Sequence, residues 1–96
     1  MRPNYRFAPE AETDLERLAD FMDEVAPDLT VSMIEALFSG FEVIAAMPGI
    51  GRSVSDMTAL RQWPIKFGRS AYIALYEEIG VEVIIARVYH SREDRP

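Results

Sequence analysis

Arg61, Lys66, Arg69, Arg87, His90 and Arg92, with Tyr72, Tyr76 and Tyr89 among them, are the side chains of this chain that could do chemistry. Cutting RNA without a metal needs a base near the 2′-hydroxyl, cations against the phosphate charge and an acid for the leaving oxygen. This set holds those residue types. Histidine is the natural proton carrier near neutral pH. Arginine, however, grips a carboxylate as readily as a phosphate through paired N–H donors. Arg61, Arg69, Arg87, Tyr89, His90 and Arg92 are therefore equally candidates for binding another protein. Strand parity divides them: Arg87 and Tyr89 share one face of a regular strand, and His90 takes the other.

Other chemistries have little to build on. The single histidine and the absence of cysteine leave no converging set of transition-metal ligands, so neither a metal nor a cofactor is expected. Ser70 and Ser91 near His90 lack the strained turn of a nucleophile elbow. Gly49-Ile50-Gly51 follows a helical stretch and lacks the glycine–lysine ending of a phosphate loop, so it reads as a helix stop.

The elements that must position these residues can be read from periodicity. Trp63, Ile65 and Phe67 alternate as on a half-buried strand, with Trp63 expected to pack under the helices. Phe67-Gly68-Arg69-Ser70 is a turn, and Tyr72, Ile73, Leu75 and Tyr76 form a second strand. Glu78-Ile79-Gly80 turns the chain again. Val81 to Tyr89 is β-branched and apolar on both parities, which places it inside a sheet. Upstream, Asn4–Ala8 is a short first strand. Pro9 opens a helix whose stripe is Ala11, Leu15, Leu18, Met22 and Val25. Pro27 ends it, and Asp28 or Thr30 can cap a second helix. The buried face there is Val31, Ile34, Leu37, Phe38, Phe41, Ile44 and Ala45. Residues 48–58 read as a loop. The result is one α+β domain over residues 1–96, ordered β-α-α-β-β-β. An antiparallel helical hairpin covers an antiparallel C-terminal meander, and the first strand joins at an edge or beside a non-neighbour.

The formal charge is −6, and it is uneven. Residues 1–40 carry nine carboxylates against Arg2, Arg6 and Arg17, while residues 41–96 balance. The acidic total argues against strong direct nucleic-acid binding. No apolar run is expected to span a bilayer, and MRPNYRFAPEAE lacks an apolar signal core, so a soluble cytoplasmic protein without membrane contact is expected. The abundance of Leu, Ile, Phe and Met predicts an apolar groove that a partner fills as a helix or extends as a strand.

YRFAPEAETDLERLADF, PGIGR, LRQWPIKFGRSAYIALYEE and VEVIIARVYHSRED, in that order, resemble the ParE/RelE superfamily of toxins from bacterial type II toxin–antitoxin modules. The resemblance runs from Tyr5 to Asp94 and covers the RelE/ParE-like fold. It implies a cognate antitoxin and growth inhibition by the free toxin. RelE-like members cut mRNA on the ribosome, whereas ParE-like members, which include plasmid stabilization proteins, inhibit DNA gyrase. His90-Ser91-Arg92 and the Pro48–Arg52 loop look ParE-like. Arg61 and Arg87 match the recurrent sheet arginines, and His90 and Arg92 match the tail motif. The implied function is a gyrase-inhibiting toxin held by its antitoxin. The alternatives are a ribosome-dependent mRNA endonuclease using Arg61, Arg87 and His90, and a non-toxic antitoxin-binding module.

Overall fold

The computed structural model describes residues 4–93. Residues 1–3, where the N-terminal stretch begins, and Asp94, where the resemblance ends, lie outside them. Five strands, β1 (Tyr5–Phe7), β2 (Arg52–Ser53), β3 (Arg61–Phe67), β4 (Ser70–Ile79) and β5 (Glu82–His90), form one sheet in the order β1-β5-β4-β3-β2. Two helices, α1 (Pro9–Val25) and α2 (Thr30–Ala46), lie between β1 and β2 in the chain. β1 pairs parallel with β5, and every other pairing is antiparallel. The α+β fold, the meander and the edge position of β1 agree with the sequence reading.

Both hairpins of the meander use a two-residue turn led by glycine. Gly68 and Gly80 have φ of 60° and 64°, which a side chain would resist. β4 extends to Ile79, so the second turn is Gly80–Val81 rather than Glu78–Gly80. Val81 is consequently exposed in the turn instead of opening the strand. β2 was not legible: two residues carry no period. It forms because Arg52 and Ser53 reach the register of Gln62 and Arg61, and Val54 N–H bonds to the Leu60 carbonyl.

The helices sit slightly rotated from the expected phase. In α1 the buried residues are Ala11, Asp14 and Leu18, and Val25 is exposed. In α2 they are Met33, Leu37, Gly40, Phe41 and Ile44, while Val31 faces solvent. Neither Asp28 nor Thr30 caps α2. Leu29 holds the N-cap without a side-chain bond, because a 3₁₀ turn over Pro27–Leu29 leads straight into the helix. That turn and α2 together, Pro27–Ala46, are long and apolar enough to cross a membrane by length and composition, contrary to the expectation. Here the buried stripe packs on the sheet. Short as it is, β1 is held by an aromatic cluster: Phe7 meets Phe41 and Phe38 at centroid distances of 5.2 and 5.9 Å, both edge to face.

Trp63 is only partly buried. It packs against the core but also lines a shallow cavity with Ile50, Gln62 and Pro64, because two-residue β2 gives β3 little cover on that side. The position beneath α2 belongs to Ile65, which is 5% exposed and faces Gly40. A Cβ on Gly40 would lie 2.5 Å from Ile65 Cδ1. Alanine should gain about 1 kcal/mol of helix propensity, yet the overlap costs about 1–3 kcal/mol. Gly40→Ala is therefore expected to lower the melting temperature, and Ile65→Val to recover part of the loss in the double variant. Additive effects in that cycle would show that the two positions do not collide.

Candidate binding surface

Arg87, central to both candidate chemistries, is half-buried and tied to a partner within the fold. Its Nε and Nη2 donate to the two carboxylate oxygens of Asp14 at 2.8 and 3.0 Å. The Val88 N–H donates to the same carboxylate at 2.9 Å. The geometry follows from where β1 ends. β1 covers β5 only at Val83–Ile85, and Ala8 then turns the chain into α1. A bulge in β5 opposite Leu75–Tyr76 shifts the pairing by one residue. Val88 N–H is left without a strand partner, and Asp14 on α1 supplies the acceptor. Burial alone would raise the Asp14 carboxyl. The Arg87 hydrogen bonds, the Val88 N–H and the nearby arginine charges outweigh it and hold the group below the usual carboxylate range. Asp14 raises the Arg87 guanidinium in turn.

Arg61 serves a second internal anchor. Its Nη1 donates to the Gly51 carbonyl at 2.7 Å. Tyr76, completely buried, accepts from Gly51 N–H at 2.8 Å and donates to the Pro48 carbonyl at 2.6 Å. Gly51 has ordinary extended backbone, and its importance is steric: a Cβ would lie 2.4 Å from the Tyr76 hydroxyl oxygen. The Pro48–Ile50 segment is thus a 3₁₀ turn pinned to the sheet through Gly51. Burial, ahead of the opposing Gly51 bond, pushes the Tyr76 phenol above its ordinary value.

Arg69, His90 and Arg92 do converge. They lie on a cavity of about 660 Å³ between α1 and the β3–β4 turn. Its apolar lining includes Leu18, Phe21, Met22, Leu29, Phe67 and Tyr72. Phe21 and Leu29 remain 61% and 45% exposed there. Tyr72 donates to Met33 Sδ at 3.1 Å and meets the His90 ring edge to face at 5.2 Å. Burial first, and then the Glu93 charge, raise its phenol. Tyr89 points the other way, is buried and pairs with Ile73.

β5 continues through His90, so the tail beyond the sheet begins only at Ser91. The described tail is a tight hook. Glu93 accepts from the His90 N–H at 2.6 Å and from Arg17 Nη1 on α1. Arg92 N–H donates to His90 Nδ1 at 3.1 Å, which puts the proton of a neutral ring on Nε2. Sequence reasoning missed Arg17, Glu93 and Asp14. Only Asp14 left a signal: it falls between Ala11 and Leu18 at steps of three and four, on the apolar stripe. Among the described residues no His, Cys, Asp or Glu cluster could hold a metal.

The small sheet with its two-helix cover thus has Arg61 and Arg87 tied to internal anchors and an apolar cleft with a cationic rim. Residues 5–95 match the family described as "ParE toxin of type II toxin-antitoxin system, parDE". Toxin RelE1 of Caulobacter vibrioides is 32% identical over 85 residues, 88% of this chain and 89% of that one. Toxin RelE3 of the same organism is 31% identical over 87 residues, 91% and 92% of the two chains. The fold is similar to that in the chromosomal ParDE toxin–antitoxin system of P. aeruginosa, with TM-score 0.73, 19% identity and coverage of 91% and 94%. It is also similar to that in the toxin–antitoxin complex RelBE2 of Mycobacterium tuberculosis, with TM-score 0.57, 20% identity and coverage of 94% and 99%. The chain belongs to the ParE/RelE family of type II toxins.

Proposed function

We propose that this toxin acts in the cytoplasm on a protein target, DNA gyrase, and that a cognate antitoxin neutralises it by binding. One observation carries the choice against mRNA cleavage: each residue of the candidate nuclease set is committed to a different internal partner. Arg87 is held by Asp14, Arg61 by the Gly51 carbonyl, and His90 Nδ1 by the Arg92 N–H. A metal-free nuclease needs its cations and proton carrier aimed at one phosphate. The match to the ParE family supports a toxin neutralised by an antitoxin; gyrase as the target is what the ParE-like tail and loop imply.

Inducible expression without antitoxin, scored in the same cells for plasmid supercoiling and mRNA cleavage, tests the reading. Supercoiling should fall while translated mRNAs stay intact. His90→Gln keeps hydrogen bonding but cannot act as general acid or base, and it should retain most of the toxicity. A general acid–base role would instead make its loss cost roughly 10²–10⁴-fold. Cleavage of mRNA inside translating ribosomes, abolished by His90→Gln in a folded variant, would replace gyrase with the ribosome. A chain that is folded yet harmless would be an antitoxin-binding module only.

A further inference from the structure

We propose that the cleft between α1 and the β3–β4 turn takes an apolar segment of the antitoxin that carries a carboxylate, and that Glu93 occupies the carboxylate's seat in the free toxin. This rests on the antitoxin reading above and adds the chemistry of the contact. The apolar part is set by Phe21 and Leu29, both well exposed beside a cleft floored by Leu18 and Tyr72. The charge is set by the rim. Among the described residues, Arg17, Arg69 and Arg92 stand there against Glu93 as the sole carboxylate of the lining. Such a cluster is unexpected in a chain of formal charge −6. Among the described residues, neither the Arg69 nor the Arg92 guanidinium has a hydrogen-bond or ion-pair partner.

Glu93 indicates what the rim accepts. Its carboxylate bridges the Arg17 guanidinium and the His90 N–H, so a backbone donor and a cation already converge on one acid. The His90 N–H lies on β5 beyond the reach of β1, where no strand satisfies it. An incoming carboxylate can make the same two bonds and gain Arg69 and Arg92 as neighbours, while its apolar flank covers Phe21 and Leu29. Displacing the Glu93 side chain breaks only an exposed ion pair and one hydrogen bond. Bound antitoxin should therefore release the Glu93 side chain from Arg17 and the His90 N–H, while the backbone bonds of Ser91 and Glu93 can stay.

Titration of the purified product of the adjacent gene into the purified toxin tests this. Glu93→Gln removes the internal competitor and should tighten binding roughly three- to fivefold, the scale of an exposed ion pair. Arg69→Gln with Arg92→Gln, which breaks no described side-chain contact, should slow association about tenfold at low salt and lose that difference at about 0.5 M salt. Phe21→Ser should weaken binding at least tenfold. If that product binds wild type tightly but is indifferent to all three changes, the antitoxin reading stands and this proposal falls. If it does not bind wild type at all, both fall. If Phe21→Ser instead turns a dimer of the toxin alone into a monomer, the cleft is a self-association surface and the proposal is overturned.

Discussion

Asp14→Asn is expected to destabilise the toxin by about 2–4 kcal/mol, a large part of the roughly 5–15 kcal/mol that holds a domain of this size. Asp14 is 3% exposed and accepts three hydrogen bonds from Arg87 and Val88. Asparagine keeps the shape but removes the charge, and its NH₂ would face a guanidinium donor. The Arg87 side chain is 31% exposed, so water recovers part of the loss and keeps it below that of a fully buried pair. The effect should depend on pH. The folded carboxyl lies below its ordinary value, so its contribution is complete above the unfolded value of about 3.9 and disappears as pH falls through the folded one. Urea midpoints measured across the acid range should drop steeply in wild type below about pH 4 and more gently in Asp14→Asn. An unchanged midpoint at neutral pH would mean that the pair does not form. Replacing both partners, Asp14→Leu with Arg87→Met, should regain part of the stability because no charge is left unpaired, while the Val88 N–H still loses its acceptor. If that double variant is folded and still toxic, Arg87 is a structural arginine and not a target contact.

Tyr76 should be the most sensitive aromatic, ahead of Trp63. Tyr76→Ala empties the largest fully buried side-chain site and should cost about 3–5 kcal/mol. Tyr76→Phe is the sharper test. It keeps the ring and removes the hydroxyl that links the Pro48 carbonyl to the Gly51 N–H. Two backbone groups lose their partner, at a cost of about 1–3 kcal/mol. The Gly51 amide should then exchange with deuterium much faster, while the amides of β4 and β5 keep their protection. Equal acceleration across the sheet would mean that Tyr76 supports the core in general and not this loop.

The ParE-like tail and loop motifs thus separate physically. Pro48–Arg52 is explained by packing: a glycine with no room for a Cβ, a tyrosine bonded on both sides and an arginine on a carbonyl. His90-Ser91-Arg92 is explained by a hook that closes one side of a cleft. The first acts on stability, and the second shapes the rim of the cleft.

Local sequence was enough for the architecture apart from β2. Alternation in Trp63–Phe67, glycine-led turns at Gly68 and Gly80, β-branching through Val83–Val88 and two proline-bounded helical stripes set the element types and their order. Those properties act over a few residues, and no distant contact is needed to express them. The same holds for the net charge. What the arginines do was decided by tertiary structure. Arg61, Arg69, Arg87 and Arg92 are chemically identical in the chain, and period and parity rank none above another. Their roles diverge because β1 is too short to cover Val88, because a bulge re-aims β5, and because α1 brings Asp14 to one arginine and Arg17 to the hook. Asp14 and Arg87 are 73 residues apart and Arg17 and Glu93 are 76. Pairings at that separation depend on how the elements dock, and no local pattern in the sequence encodes them.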